Sequence, residues 1–224
     1  MTLTDEQSKQ IDELLRPSNL EETPAAEKDP KTLFTEFVVA AAGREADAGV
    51  SRATNKTRVT EYLNLFGLDF ADAAGIPYAF CAAGLGWVAC EGYCQMDPTI
   101  DFADPPTSVF RKVVPTINQF YFLPHPSCAR MVEQAKVRAN WVGDVSNPPL
   151  PGWLVFYNWS GGEDAQHVGI VEAASASTLR TIEFNTSIVV GGSQRNGGVV
   201  ARKIRDQARR FVIGYIATYQ RPSA

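Results

Sequence analysis

The chain has 224 residues, 45% of them hydrophobic and 21% charged, and a formal net charge of −4. That length fits one domain with an appendage, and the charge balance leaves no Lys/Arg stretch dense enough for a nucleic-acid groove. The longest apolar runs, near Phe37–Ala42 and Phe211–Ile216, are far too short to span a bilayer, and the early acids of the N-terminus do not fit a signal peptide.

Residues 1–30 read as a polar arm, with a short helix over about Thr4–Leu15 and then a linker rich in Pro, Glu and Ala. The domain proper occupies residues 31–224. Leu33, Phe34, Phe37, Val38 and Ala41 follow a helical period over Lys31–Gly43. Val59, Tyr62, Leu63 and Phe66 do the same over Lys56–Phe66, and Gly67 stops that helix. The run after Cys81 is small and apolar and reads as a helix despite Gly84 and Gly86. Residues 95–126 hold six prolines and little periodicity, which predicts a long loop. Ser127 is placed to cap a third helix reaching about Ala139, with Met131, Val132 and Ala135 inward.

Beyond Pro151-Gly152 the pattern changes. Residues 153–159, 167–175, 178–185, 197–205 and 210–219 are β-branched and aromatic, separated by Gly, Ser and Asn turns. Helices first and strands after predict an α+β domain, with N-terminal helices packed on a mostly antiparallel five-stranded sheet. The basic segment 202–210, interrupted by Asp206, reads as a solvated strand-and-turn edge.

Candidate chemistry is narrowed by histidine supply, because only His125 and His167 exist. His125 lies between prolines in LPHP, whereas His167 begins a strand. If the turn of the 167–185 hairpin centres on Ala176, facing residues sum to about 352 and Asn185 lies across from His167. Val168, Ile170, Ile182 and Phe184 then form the apolar side, and His167, Gly169, Thr181, Glu183 and Asn185 the more polar one. The missing nucleophile is Cys81, whose place at a helix start favours its thiolate. A neighbouring imidazole would hold the pair as thiolate and imidazolium, with Glu183 or Asn185 accepting the other ring N–H. The bland reading is that Cys81 is a core thiol. Of the other cysteines, Cys90 and Cys94 sit four apart on one helical face and read as buried free thiols, the alternative being a bridge from one of them to Cys128 in an oxidising space.

The order Cys, His, then a carboxylate and Asn two apart resembles the CHAP group of cysteine, histidine-dependent amidohydrolases and peptidases, related to the NlpC-type papain-like peptidases. The resemblance covers roughly residues 33–219. It runs through READAGVSRATNKTRVTEYLNLFGL, IPYAFCAAGLGWV, LPGWLVFYNW, HVGIVE, TIEFNTS, NGGVVARKIR and VIGYIATY. It implies a papain-like fold and a peptidoglycan hydrolase, either an N-acetylmuramoyl-L-alanine amidase or an endopeptidase, working through a thioester acyl-enzyme. Cys81 becomes the nucleophile, His167 the base, Glu183 the orienting carboxylate and Asn185 a supporting polar group, with Tyr78 bordering the site. Three positions depart from the family pattern: Phe80 stands where a Trp is usual, Phe184 where the Glu-Gly-Asn motif has Gly, and Trp153 where Pro-Gly-Asp has Asp.

The implied substrate is peptidoglycan or a muropeptide, with no cofactor, no metal and no nucleic acid. Two other readings stand beside it: a non-catalytic papain-like module that binds wall fragments or peptides, and a zinc hydrolase using Cys128, His125 and Cys90 or Cys94. With no signal peptide legible, a wall hydrolase made in the cytoplasm is expected to reach its substrate through phage lysis or specialised secretion.

Overall fold

A computed structural model describes residues 28–103, 106–189, 191–206 and 211–218. The expected helix at Thr4–Leu15 and most of the N-terminal arm lie outside the described residues. Among the described residues, five helices precede a six-stranded sheet: α1 (Pro30–Asp47), α2 (Lys56–Asn64), α3 (Cys81–Met96), α4 (Pro106–Phe120) and α5 (Cys128–Val137), then β1 (Trp141–Val142), β2 (Leu154–Tyr157), β3 (His167–Ala174), β4 (Thr178–Thr186), β5 (Val199–Asp206) and β6 (Val212–Ile216). The strand order is β1-β6-β2-β3-β4-β5, and every neighbouring pair is antiparallel. The α+β class is as expected. Among the described residues, no helix is long and apolar enough to cross a membrane.

The helices form where periodicity places them, and α1 outruns its expected range by a turn. Asp29 caps it by accepting from the Thr32 N–H at 3.2 Å. Its last turn carries Glu45 into the interior, where the Tyr62 hydroxyl donates to it. The expected long loop at 95–126 is corrected by α4. Val109, Val113 and Ile117 recur every four residues and are fully buried, while Pro106 opens the helix where a missing N–H costs no intrahelical bond. The number of prolines concealed that stripe, although only Pro115 lies inside the helix. Ser127 does stand before α5, but its side chain makes no capping bond, and its N–H donates to His125 Nδ1 at 2.9 Å.

The sheet has six strands rather than five. The extra one, β1, is two residues long and pairs Trp141 with Ile216 and Val142 with Tyr215, too short for alternation to reveal it. One face of the sheet turns Leu154, Phe156, Val168, Ile170, Ile182 and Phe184 to the helices. The opposite face gathers Val155, Tyr157, Val171, Leu179 and Tyr215 into a smaller apolar cluster. The expected hairpin register holds at Gly169↔Glu183, Ile170↔Ile182 and Val171↔Thr181, each summing to 352, before a bulge shifts it beyond Val171.

One contact fixes how α3 meets that hairpin. A Cβ built on Gly84, three residues after Cys81, would lie 2.1 Å from Phe184 Cδ1. Phe184 fills the space over that glycine and meets the Tyr62 ring edge-on at 5.5 Å between centroids. The bulky residue at 184 is thus accommodated by the absence of a side chain at 84. Gly84→Ala is expected to destabilise by about 1–2 kcal/mol, since overpacking outweighs the helix-propensity gain of alanine. The same change in a Phe184→Ala background should cost nothing or stabilise, and thermal melts of the double-mutant cycle check this.

Candidate active site

Cys81 is the first residue of α3, and its N-cap, Phe80, offers no side-chain bond to the helix start. The unpaired N–H groups of that first turn therefore face the sulfur's end of the helix. Cys81 is 4% exposed and Phe80 is fully buried against the Tyr62 ring. The aromatic residue before Cys81 thus anchors the helix start in the core.

His167 opens β3 and pairs across the sheet with Tyr157. Its Nε2 lies 3.1 Å from Glu183 Oε2, and both side chains are fully buried. Glu183 sits opposite Gly169, where a Cβ would come within 2.8 Å of Glu183 Cγ, so glycine leaves the carboxylate room to cross toward the ring. Thr181 Oγ1 donates to Glu183 Oε1 at 2.9 Å. Arg205 closes the set with Nε to Oε1 at 2.8 Å and Nη2 to Oε2 at 2.5 Å, a two-pronged grip on one carboxylate. The Arg205 guanidinium also lies over the Tyr157 and Trp159 rings, which flank His167 at 6.0 and 6.1 Å.

The electrostatics follow from those contacts. Burial opposes a charge on Glu183, but the His167 and Arg205 hydrogen bonds override it and hold the carboxyl well below its ordinary range. Burial likewise opposes the imidazolium of His167, yet its interactions with Cys81 and Glu183 raise it to about 9. The Cys81 thiol is brought far down by the Cys128 thiol beside it, against burial, with His167 and the Ala82 N–H acting in the same direction. Since Nε2 is held by Glu183, Nδ1 is the ring nitrogen left for the sulfur. Nδ1 closes no hydrogen bond in this structure. His167 and Glu183 are thus joined by a hydrogen bond, and Cys81 lies near enough for its charge and that of His167 to stabilise one another.

Asn185 does not join them. The backbone turns left-handed there, at φ 59°, and β4 leaves the pleat before reaching the place across from His167. Its Nδ2 donates to the Arg195 carbonyl and to Asn196 Oδ1, both at 3.1 Å, and its Oδ1 accepts from Arg52 Nη2 at 2.9 Å. The same Nη2 reaches the Tyr78 carbonyl at 3.0 Å. Arg52 therefore ties the segment leading to Cys81 to the end of β4, reaching Tyr78 through its backbone. Arg52 and Arg205 both escaped the sequence reading. Arg205 was expected on a solvated edge, but its side chain is only 15% exposed and its register partner is Leu179, which places it on the face of Thr181 and Glu183.

The residues of the zinc reading do not gather: His125 Nδ1 accepts from Ser127, and among the described residues no group of three His, Cys, Asp or Glu converges. All four cysteines are free thiols. Cys128 packs against Cys81, not against Cys90 or Cys94, with the two sulfurs 3.7 Å apart.

No family model matches the chain, and no curated protein matches it. Solved structures similar to the chain at low TM-score include two of Ly7917. The crystal structure of Ly7917 with the hydrolyzing product of MDP is 16% identical, with TM-score 0.39, over 82% of this chain and 62% of that one. The crystal structure of Ly7917 is 20% identical, with TM-score 0.34, over 71% of this chain and 61% of that one. The chain therefore spans a little under two thirds of the Ly7917 chain.

Proposed function

We propose that this chain is a papain-like cysteine amidohydrolase of the CHAP type that cuts an amide bond of bacterial peptidoglycan, as an N-acetylmuramoyl-L-alanine amidase or an endopeptidase. The observation that carries the reading is the buried His167–Glu183 hydrogen bond with Arg205 behind it, in a site where Cys81 begins α3 and interacts electrostatically with His167. In this reaction the Cys81 thiolate attacks the scissile carbonyl carbon, and N–H groups at the start of α3 receive the oxyanion. The His167 imidazolium, held in orientation by Glu183, gives its proton to the departing amine and leaves a thioester on Cys81. Neutral His167 then takes a proton from water, whose oxygen attacks the thioester and frees the acid and the thiolate. The wall as substrate is supported by the sequence resemblance.

Alkylation separates a hydrolase from a binding module on the same scaffold. Cys94 is the more exposed thiol, yet burial and the nearby Asp97 and Glu91 raise it to about 11. Iodoacetamide at pH 6 is expected to label Cys81 and leave Cys94 unmodified, by peptide mass mapping. Equal labelling of the two would favour the binding module. Mass spectrometry of digested peptidoglycan then identifies the bond: new amino termini on free stem peptides mark the amidase, and shortened peptides still attached to sugar mark the endopeptidase.

A further inference from the structure

The proposed hydrolysis uses a single sulfur, but the site holds two. Cys81 is the first residue of α3 and Cys128 the first residue of α5, forty-seven positions further on, and their Sγ atoms are 3.7 Å apart. Both are free thiols and nearly buried, at 4% and 7% exposure. The turn leading into α5 is braced, with Ser127 N–H donating to His125 Nδ1 at 2.9 Å and Met131 N–H to the Ser127 carbonyl at 3.2 Å. Cys128 is thereby held against the nucleophile. A disulfide needs the sulfurs about 2 Å apart, and torsions about two Cα–Cβ bonds are the natural way to close the remaining gap.

We propose that Cys128 is the resolving partner of Cys81: hydrogen peroxide, or another small hydroperoxide, drives the pair into a reversible disulfide that switches the site off and shields its nucleophile from irreversible oxidation. The first step is attack of the Cys81 thiolate on a peroxide oxygen. The O–O bond breaks, hydroxide leaves, and Cys81 becomes a sulfenic acid, a two-electron oxidation matched by reduction of the peroxide. The Cys128 sulfur then attacks the Cys81 sulfur. The S–O bond breaks, water leaves with the Cys128 proton, and the S–S bond forms. A thiolate-selecting environment at Cys81 favours the first step there rather than at Cys90, whose thiol burial raises, or at Cys94. Only the loss of hydrolysis rests on the proposed function; the bond itself does not.

The test treats the reduced full chain with a small molar excess of hydrogen peroxide, blocks residual thiols with N-ethylmaleimide and maps unreduced peptides by mass spectrometry. A Cys81–Cys128 cross-linked peptide, two hydrogens lighter than its reduced components, is expected in most molecules, with loss of wall clearing that dithiothreitol restores. In Cys128→Ser, which keeps a hydrogen-bond donor beside the nucleophile, Cys81 should go on to sulfinic acid and clearing should be lost beyond rescue. Cys128→Ala gives the same reading should the serine variant fold poorly, and the wild-type map decides without either. Sulfinic Cys81 in wild type with Cys128 still alkylated, or a cross-link through Cys90 or Cys94 instead, overturns the proposal. Reduced protein that clears no walls but forms the Cys81–Cys128 bond overturns the hydrolase reading and leaves the redox pair standing.

Discussion

Cys81→Ser is expected to lower the rate of turbidity loss of purified cell walls by about 10⁴-fold while unfolding stays cooperative, because one buried sulfur becomes one buried oxygen of similar size. His167→Ala should lose activity to a similar extent, and the double variant should be no worse than either single one. Groups that act as one unit give non-additive losses, and additive losses would show that the two residues do not share a step. The pH profile carries a sign that can be fixed in advance. In the proposed mechanism the working form is thiolate with imidazolium, so clearing should fall as pH rises through about 9, where His167 gives up its proton. The acid limb belongs to protonation of Cys81, whose thiol is held well below its ordinary value by Cys128 and His167. Stability follows the same group. A His raised above its unfolded value contributes fully below about pH 6.5 and loses that contribution as pH climbs through about 9. An active Cys81→Ser variant, or a profile still rising above pH 9, would remove Cys81 and His167 from the chemistry.

Much of this site was legible because strand alternation is a strict rule. Given a turn near Ala176, parity alone puts His167, Gly169, Thr181 and Glu183 on one face, and the observed register agrees. Two features broke the rule where it mattered. At Asn185 a left-handed backbone ends the alternation, so a residue assigned by parity to the histidine instead binds Arg52 and the 195–196 backbone and side chain. At Arg205 the failure was one of register between β4 and β5. Charge density made 202–210 look solvated, and nothing local to that segment says that Leu179 lies across from Arg205. Arg202 shows the contrast: it does sit at the surface, paired with Asp47 and Glu172. Cys128 was hidden for a similar reason. Its neighbour in space is forty-seven residues away and joined through α4, a helix masked by its prolines.

Arg205→Met is expected to be the costliest single change to the fold among the site's supporting residues, at about 3–5 kcal/mol. Methionine keeps the length and apolar contact of the side chain over Tyr157 and Trp159 but removes both hydrogen bonds to a fully buried carboxylate. Thr181 and His167 remain, and they leave Glu183 with one formal positive neighbour in place of two. The acid side of the stability curve should record the change. Glu183 is held well below its usual range in the native protein, so its contribution is present above about pH 4.5 and fades as pH falls through the folded value. Without Arg205 that folded value rises, the fading begins at higher pH, and the acid-unfolding midpoint moves upward. Adding Glu183→Gln should recover part of the lost stability, since a neutral amide does not require a guanidinium to be buried. Urea unfolding across a pH series on the two single variants and the double measures all of this. Equal losses for Arg205→Met in the presence and absence of Glu183→Gln would show that Arg205 supports the aromatic pair and not the carboxylate that orients His167.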